Sequence, residues 1–366
     1  MADRDFILAP QTSTITVSIA LEPVYNALNS LMLVASPESR SGFGEWVLQT
    51  AAALPPDLAR RHWLVFEAFF AAIEPEQNWP SFADYVDHLA MQEAVVLRDR
   101  AVSWICKKEL EGINVPDIET ILRDKSAFLN TIEAIYARKN TEKDPMYDFE
   151  ANKQRYAEAH DLLQDPPALK ALIINHLRTM WNNWFAPEWA HVLPMLQESV
   201  DAFRQLDYSR MTALEAVRTV TGRDFTGIWE EWGEHLIFVP SAHIGPYVTR
   251  FEKDGAVLLI FGARLPEGAR VTSPALSRSE LLVRLSALAD DTRLQILELL
   301  TQHDELCAQD VIEMLNLSQS AASRHLRQLT ATGYLIERRR EVAKCYSLNP
   351  RRVDDTLQAL KRFLRK

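Results

Sequence analysis

The chain has 366 residues, 47% hydrophobic and 25% charged, which suits two or three folded domains and excludes wholesale disorder, collagen and a long coiled coil. Its formal net charge of −10, taken as an average, argues against a nucleic-acid partner. The charge is unevenly spread: residues 277–366 hold 15 Lys and Arg against 12 Asp and Glu, leaving 25 against 38 upstream, and all nine Trp lie at or before Trp232.

Met1–Thr14 lacks a basic start followed by an apolar core, so no signal peptide is expected. The longest apolar runs, such as Ala256–Ala263, fall far short of the ~20 residues a membrane helix needs. Three cysteines (Cys106, Cys307, Cys345) cannot build a disulfide framework, and a reducing cytoplasm is the expected compartment. Gly42 and Gly44 have no third glycine at Val47, so the dinucleotide fingerprint fails. Phosphate loops, a G-x-S-x-G elbow and an H-E-x-x-H helix are also missing, so neither an enzyme nor a cofactor is expected.

Ser13–Ala20 alternates polar and apolar residues, placing Ile15, Val17 and Ile19 on one face of a strand. Pro23 then opens a helix to about Ala35, at a first-turn position where its missing N–H costs nothing. From there to about Glu234 the periodicity is helical. The clearest segments are His62–Ile73, Phe82–Cys106, Ile118–Arg138, Tyr156–Leu163, Pro167–Trp184, Trp189–Leu206 and Met211–Val220. His235–Val239 reads as a strand, Pro240–Pro246 as a loop, and Tyr247–Phe251 with Ala256–Ala263 as a hairpin. The amino-terminal strand needs partners for its backbone and is expected to pair with these strands. The expected fold class is α+β, mainly helical. A large helical amino-terminal domain (1–264) carries a small antiparallel sheet, and a linker (265–278) with Pro266, Gly268 and Pro274 leads to a second domain (279–366).

In that second domain, Ser279–Leu288, Thr292–Leu300 and Leu306–Leu315 are amphipathic helices. The turn Asn316-Leu317-Ser318 leads into a fourth, whose inner face is Ala322, Leu326 and Leu329: a helix-turn-helix layout. Its other residues, Gln319, Ser320, Ser323, Arg324, Arg327 and Gln328, are groups that read base edges and phosphates. Tyr334–Arg339 and Lys344–Leu348 form two strands, and Arg338, Arg339, Arg340 and Lys344 make their tip basic, as in a DNA-binding wing. The expected DNA contacts are Ser318, Gln319, Ser320, Ser323, Arg324, His325 and Arg327 in a major groove, with Arg338, Arg339, Arg340 and Lys344 on the flanking backbone.

Leu288–Leu297, Glu305–Asp310, Ser318–Leu326, Tyr334–Arg340 and Tyr346–Leu348 resemble, in order and spacing, the winged-helix repressors of the ArsR type. The resemblance covers about 280–350 and implies a homodimeric transcriptional repressor released from a palindromic operator by an effector. Leu21–Leu31 and Phe238–Ser241 are similar to ArsR-type regulators with a large amino-terminal domain, a likeness that names no ligand. The family's terminal helices pair protomers, and here Val353, Leu357, Leu360 and Leu364 recur at helical steps. Arsenic sensors of the family carry C-x-C where this chain has Cys307-Ala308-Gln309. One thiolate cannot hold As(III) alone, Cys345 on the wing is not expected to converge, and no His follows Arg351, so no metal is expected. Cys307 reads as a small buried residue, with a thiol redox switch the weaker reading.

Trp181-Asn182-Asn183-Trp184 and Trp189 concentrate aromatic rings beside amides and Glu188. Ordinary core packing is the prevailing reading; the sharper one makes Trp181, Asn182, Trp184 and Trp189 a pocket for an apolar or aromatic small-molecule effector. His235 and His243 read as structural. The competing reading of the whole is an enzyme domain of unknown chemistry fused to an autoregulatory winged helix. A winged helix kept only for protein interactions is disfavoured by the Ser/Gln/Arg face and the basic wing.

Overall fold

The computed structural model describes residues 15–35, 43–107, 115–141, 149–223, 233–245, 247–253, 255–264, 266, 281, 284–340 and 343–364. Trp229–Trp232 and nearly all of the expected linker lie outside them. The chain opens with β1 (Thr16–Ile19) and α1 (Pro23–Ala35). A helical series follows: α2 (Glu45–Ala53), α3 (Pro56–Trp63), α4 (Phe82–Met91), α5 (Ala94–Lys107), α6 (Ile118–Arg123), α7 (Lys125–Thr141), α8 (Phe149–Leu163), α9 (Pro166–Met180), α10 (Ala186–Arg204) and α11 (Ala213–Thr221). Then come β2 (His235–Ser241), β3 (Val248–Lys253) and β4 (Ala256–Gly262).

The mainly helical α+β class holds, but the first sheet is mixed rather than antiparallel. Its order is β1-β2-β4-β3, with β1 parallel to β2, β2 parallel to β4, and only β3 antiparallel. The helical series carries the chain from the end of β1 back to the start of β2, and parallel pairing needs such a crossover. The expected hairpin is present, but β4 inserts between β3 and β2. Pro240 lies inside β2, two residues beyond Phe238, where the pairing with β1 ends at Ile19↔Phe238. There β2 has an open side, so a missing N–H is tolerated.

The run Ala256–Gly262 is apolar throughout because the sheet is covered on both faces. Val257, Leu259 and Phe261 pack with Val200 and Phe203 of α10 and Val217 and Val220 of α11. Leu258 and Ile260 pack with Tyr25 and Val34 of α1 and Val47 of α2. Helix α1 also gives Val24, Leu28 and Leu31 to the helical cluster, so it is enclosed on both sides and its polar Asn26, Asn29 and Ser30 are buried with the rest. The long helices read from periodicity are divided. His62–Ile73 becomes the end of α3, a π-turn (Leu64–Ala68) and a 3₁₀ turn (Phe70–Ala72), and Ile118–Arg138 is cut at Asp124.

Two histidines meet inside the helical body. His62 Nε2–H donates to Leu31 O at 2.8 Å, which leaves Nδ1 as acceptor for His176 Nε2–H at 2.9 Å. His176 Nδ1 is then a buried acceptor with no partner. Burial holds His62 down at about 4 and His176 at about 3, with the neighbouring ring and Arg61 adding to the second. A lowered histidine pKa means the unfolded chain takes up protons first, so stability is lost as pH falls from about 6.5 toward 4. Denaturant titration at pH 7 and pH 5 should show a loss of roughly 2 kcal/mol per histidine. The loss should shrink in a His62→Phe/His176→Leu variant, and an equal loss in that variant would refute the assignment.

Candidate nucleic-acid interface

The carboxy-terminal module begins with helical residues 284–288 and α12 (Asp291–Gln302), followed by β5 (Leu306–Cys307) and α13 (Ala308–Met314). The turn into α14 (Gln319–Ala331) uses Asn316 at φ 50°, a left-handed position that asparagine tolerates. Ser318 caps α14, its hydroxyl accepting from Ala321 N at 3.2 Å. Ala322, Leu326 and Leu329 are buried, the two leucines packing with Ile296, Leu300 and Val311. Ser318, Gln319, Ser320 and Arg324 are exposed, and Ser323 and Arg327 are half-buried.

His325 departs from the expected DNA-contacting set. It is buried, with Nδ1 3.5 Å from Asp290 Oδ1. Desolvation lowers its pKa, Asp290 opposes that, and Arg324 and Arg293 reinforce it. The helical wheel explains the placement, since His325 is four residues before Leu329 and three after Ala322, which puts it at the edge of the inner face next to Leu329. Gln328 also turns away from the outer face, accepting from Arg293 Nη1 at 2.9 Å.

Helix α14 ends at Gly333, whose φ of +81° lets Tyr334 N return to Leu329 O at 2.9 Å. The wing follows as β6 (Leu335–Arg340) and β7 (Ala343–Leu348), with β5 added in the order β5-β7-β6. Arg338 is exposed opposite Cys345, Arg339 pairs in register with Lys344 and Arg340 with Ala343. Exposed Lys344 reaches Glu337 Oε1 at 3.3 Å, a surface ion pair worth little against a phosphate. The side chains of Arg339 and Arg340 lie outside the described set. Helix α15 (Pro350–Leu364) packs back on this junction: Arg352 Nε donates to Thr332 O at 2.8 Å, and buried Tyr334 brings its hydroxyl within 3.0 Å of Thr356 Oγ1.

Periodicity alone does not single out Arg293. Asp290 caps α12, accepting from Arg293 N at 3.0 Å. The Arg293 guanidinium then donates to Ala287 O at 2.6 Å, Ser286 O at 2.8 Å and Gln328 Oε1, joining residues 284–288, α12 and α14. The three-residue spacing of Asp290 and Arg293 was visible; the carbonyls it would meet were not. Arg293→Ala should lower the module's unfolding free energy by about 2–4 kcal/mol by stranding those acceptors. Denaturant titration of the full chain checks this, and a loss indistinguishable from zero would count against the network.

Cys307 and Cys345 correct a second expectation. They are cross-strand partners on β5 and β7, with their sulfurs joined in a disulfide. The expected separation treated Leu306–Leu315 as a continuous helix, whereas its first two residues form a strand on the wing sheet.

In the amino-terminal body the tryptophans pack on phenylalanines. Trp181 stacks on Phe82 at 4.9 Å, and Trp181 and Trp189 flank buried Phe185 at 5.8 and 6.1 Å. Trp184 is half-buried against the same cluster, while Asn182 is exposed on the π-turn Trp181–Phe185. Glu188 instead accepts from His243 Nε2 at 3.0 Å, and in that tautomer His243 Nδ1 accepts from Ser30 Oγ at 2.8 Å. This Ser–His–acid line lies in the interior, with Ser30 at 0% exposure, so no substrate reaches its hydroxyl in this arrangement. His235 bonds Ser18 Oγ at 2.9 Å across the β1–β2 pair. Among the described residues, no group of three or more His, Cys, Asp or Glu is arranged to hold a metal ion. No described helix is long and apolar enough to cross a membrane.

Residues 290–337 match the family model described as bacterial regulatory protein, arsR family. The arsenical resistance operon repressor of Staphylococcus aureus is 36% identical over 85 residues, 23% of this chain and 81% of that protein. The arsenic resistance transcriptional regulator ArsR1 of Pseudomonas putida (strain KT2440) is 43% identical over 63 residues, 17% of this chain and 49% of that protein. The Escherichia coli K12 arsenical resistance operon repressor is 43% identical over 63 residues, 17% of this chain and 54% of its own length. The chain thus spans about half the length of the Pseudomonas and Escherichia relatives and most of the Staphylococcus one. With a winged helix-turn-helix in its carboxy-terminal part and these matches upon it, the chain belongs to the arsR family of bacterial regulatory proteins.

Proposed function

We propose that the chain is a homodimeric, sequence-specific DNA-binding repressor. In this reading residues 279–366 read the operator, 265–278 are a linker, and 1–264 sense a non-metal effector or stabilise the dimer. The observation that carries it is the outer face of α14, where Ser318, Gln319, Ser320 and Arg324 are exposed ahead of a wing bearing Arg338 and Lys344. The relatives' roles as arsenic resistance regulators and operon repressors support the class of activity. Arsenic itself is not proposed as the effector, because Gln309 replaces the second cysteine of C-x-C.

Docked in a major groove, Ser318, Gln319, Ser320, Ser323, Arg324 and Arg327 meet bases and adjacent phosphates, and Arg338, Arg339, Arg340 and Lys344 grip the flanking backbone. His325 serves from inside, holding α14 against Asp290. Binding to DNA upstream of the coding region should be measured by gel shift at two salt concentrations. Arg324→Ala should relax sequence preference by about 1–3 kcal/mol, whereas Lys344→Ala should weaken all sequences alike and reduce the salt slope by about one. Undiminished discrimination in Arg324→Ala would place the recognition register elsewhere.

Helix α15 supports the dimer. Val353 packs into the module core, but Leu357 and Leu364 on the same stripe are 47% and 72% exposed. Pairing two copies of this stripe covers both leucines and sets two recognition helices about 34 Å apart, one turn of B-DNA. Sedimentation of Leu357→Glu should give a monomer with weakened operator binding, and a wild-type monomer that still bound a palindrome tightly would overturn the dimer.

A further inference from the structure

We propose that Cys307 and Cys345 form a reversible thiol–disulfide switch that sets how tightly the module holds DNA; the inference rests on the operator-binding reading above. The loop closed by the bond spans 38 positions and contains α13, the recognition helix α14, β6 and the wing turn, which is the whole reading unit. Strand β5 is two residues long and meets β7 only at Leu306↔Tyr346 and Cys307↔Cys345. With the bond in place, the start of the helix-turn-helix is anchored covalently to the wing. Without it, the two are held by that two-residue ladder and by non-covalent packing of Val311, Leu326, Leu335 and Tyr346 in a shared core.

The two sulfurs differ in access. Cys345 is 0% exposed, whereas Cys307 is half-buried and reachable by a small oxidant or thiol. Such partly exposed bonds are the labile, regulatory kind. A hydroperoxide supplies the oxidising equivalents. The Cys307 thiolate attacks the O–O bond, giving a sulfenic acid and one water. The Cys345 thiolate then displaces the sulfenic oxygen as a second water, so two thiols and one hydrogen peroxide become one disulfide and two waters. A dithiol reverses the reaction by attacking the Cys307 sulfur, releasing the Cys345 thiolate and closing its own disulfide. Because the cross-link holds wing and recognition helix in one arrangement before binding, the oxidised form is the tighter binder.

The test uses the full chain, treated with hydrogen peroxide or with dithiothreitol, then alkylated, weighed intact and titrated against the upstream DNA. Alkylation in denaturant after peroxide should find Cys307 and Cys345 blocked, and binding should tighten about fivefold over the reduced protein, the low end of a typical coupling between two sites. Cys307→Ser, at the half-exposed position, and Cys345→Ala should each bind like the reduced protein with or without peroxide. Cys106→Ser should keep the response. Equal affinity in the two redox states, or a Cys307→Ser protein that still responds, overturns the switch alone. Absence of DNA binding in both states, with the disulfide formed, overturns the operator reading and the switch with it.

Discussion

Arg293 sits where residues 284–288, α12 and α14 converge, and the angle of the recognition helix depends on what its guanidinium meets. A buried cation is costly unless its donors are matched, and here two backbone carbonyls and the Gln328 amide take them while Asp290 lies 3.7 Å away. Asp290 also faces His325, so one carboxylate caps α12 and touches α14. Hydrophobic contacts alone allow a helix to slide or roll by small amounts. A planar fork between fixed acceptors does not, and this suits an element whose outer side chains must match base edges.

The far end of the same helix is held as tightly. Gly333 reverses the chain, Tyr334 reaches Thr356, and Arg352 caps Thr332, so α14, the wing and α15 share one junction. A shift of α15 would therefore move the recognition helix and the base of the wing together. In the amino-terminal body a different rule governs. Helix α1 is enclosed by a sheet on one side and helices on the other, and its polar residues use the interior through Ser30, His243 and Glu188. The −10 average conceals this division between an acidic body and a reader whose cations gather on α14, the wing and α15.

Much of the reader was legible in the sequence because its signals are local. The cap at Ser318, the turn at Asn316, the 3.6-residue spacing of Ala322, Leu326 and Leu329, and the Gly333 stop each act within a turn or two of chain. The β3–β4 hairpin was legible for the same reason. His325 was misplaced because a histidine on an amphipathic helix is polar by type, and its partner, Asp290, lies 35 positions earlier.

The division into a helical body and a basic reader, the helix-turn-helix, the wing and the family likeness could be read from the residues alone, since all are carried by short-range periodicity, capping and motif order. The parallel course of β1 and β2, the joining of three segments by Arg293 and the meeting of Cys307 with Cys345 came from the folded chain. Each of these depends on a pairing between distant stretches, and sequence spacing carries no information about which way a returning strand runs or whose carbonyl awaits a buried donor. The cysteines depended on two residues adopting a strand where periodicity read a helix, a choice made by the neighbouring wing and not by Leu306 and Cys307 themselves.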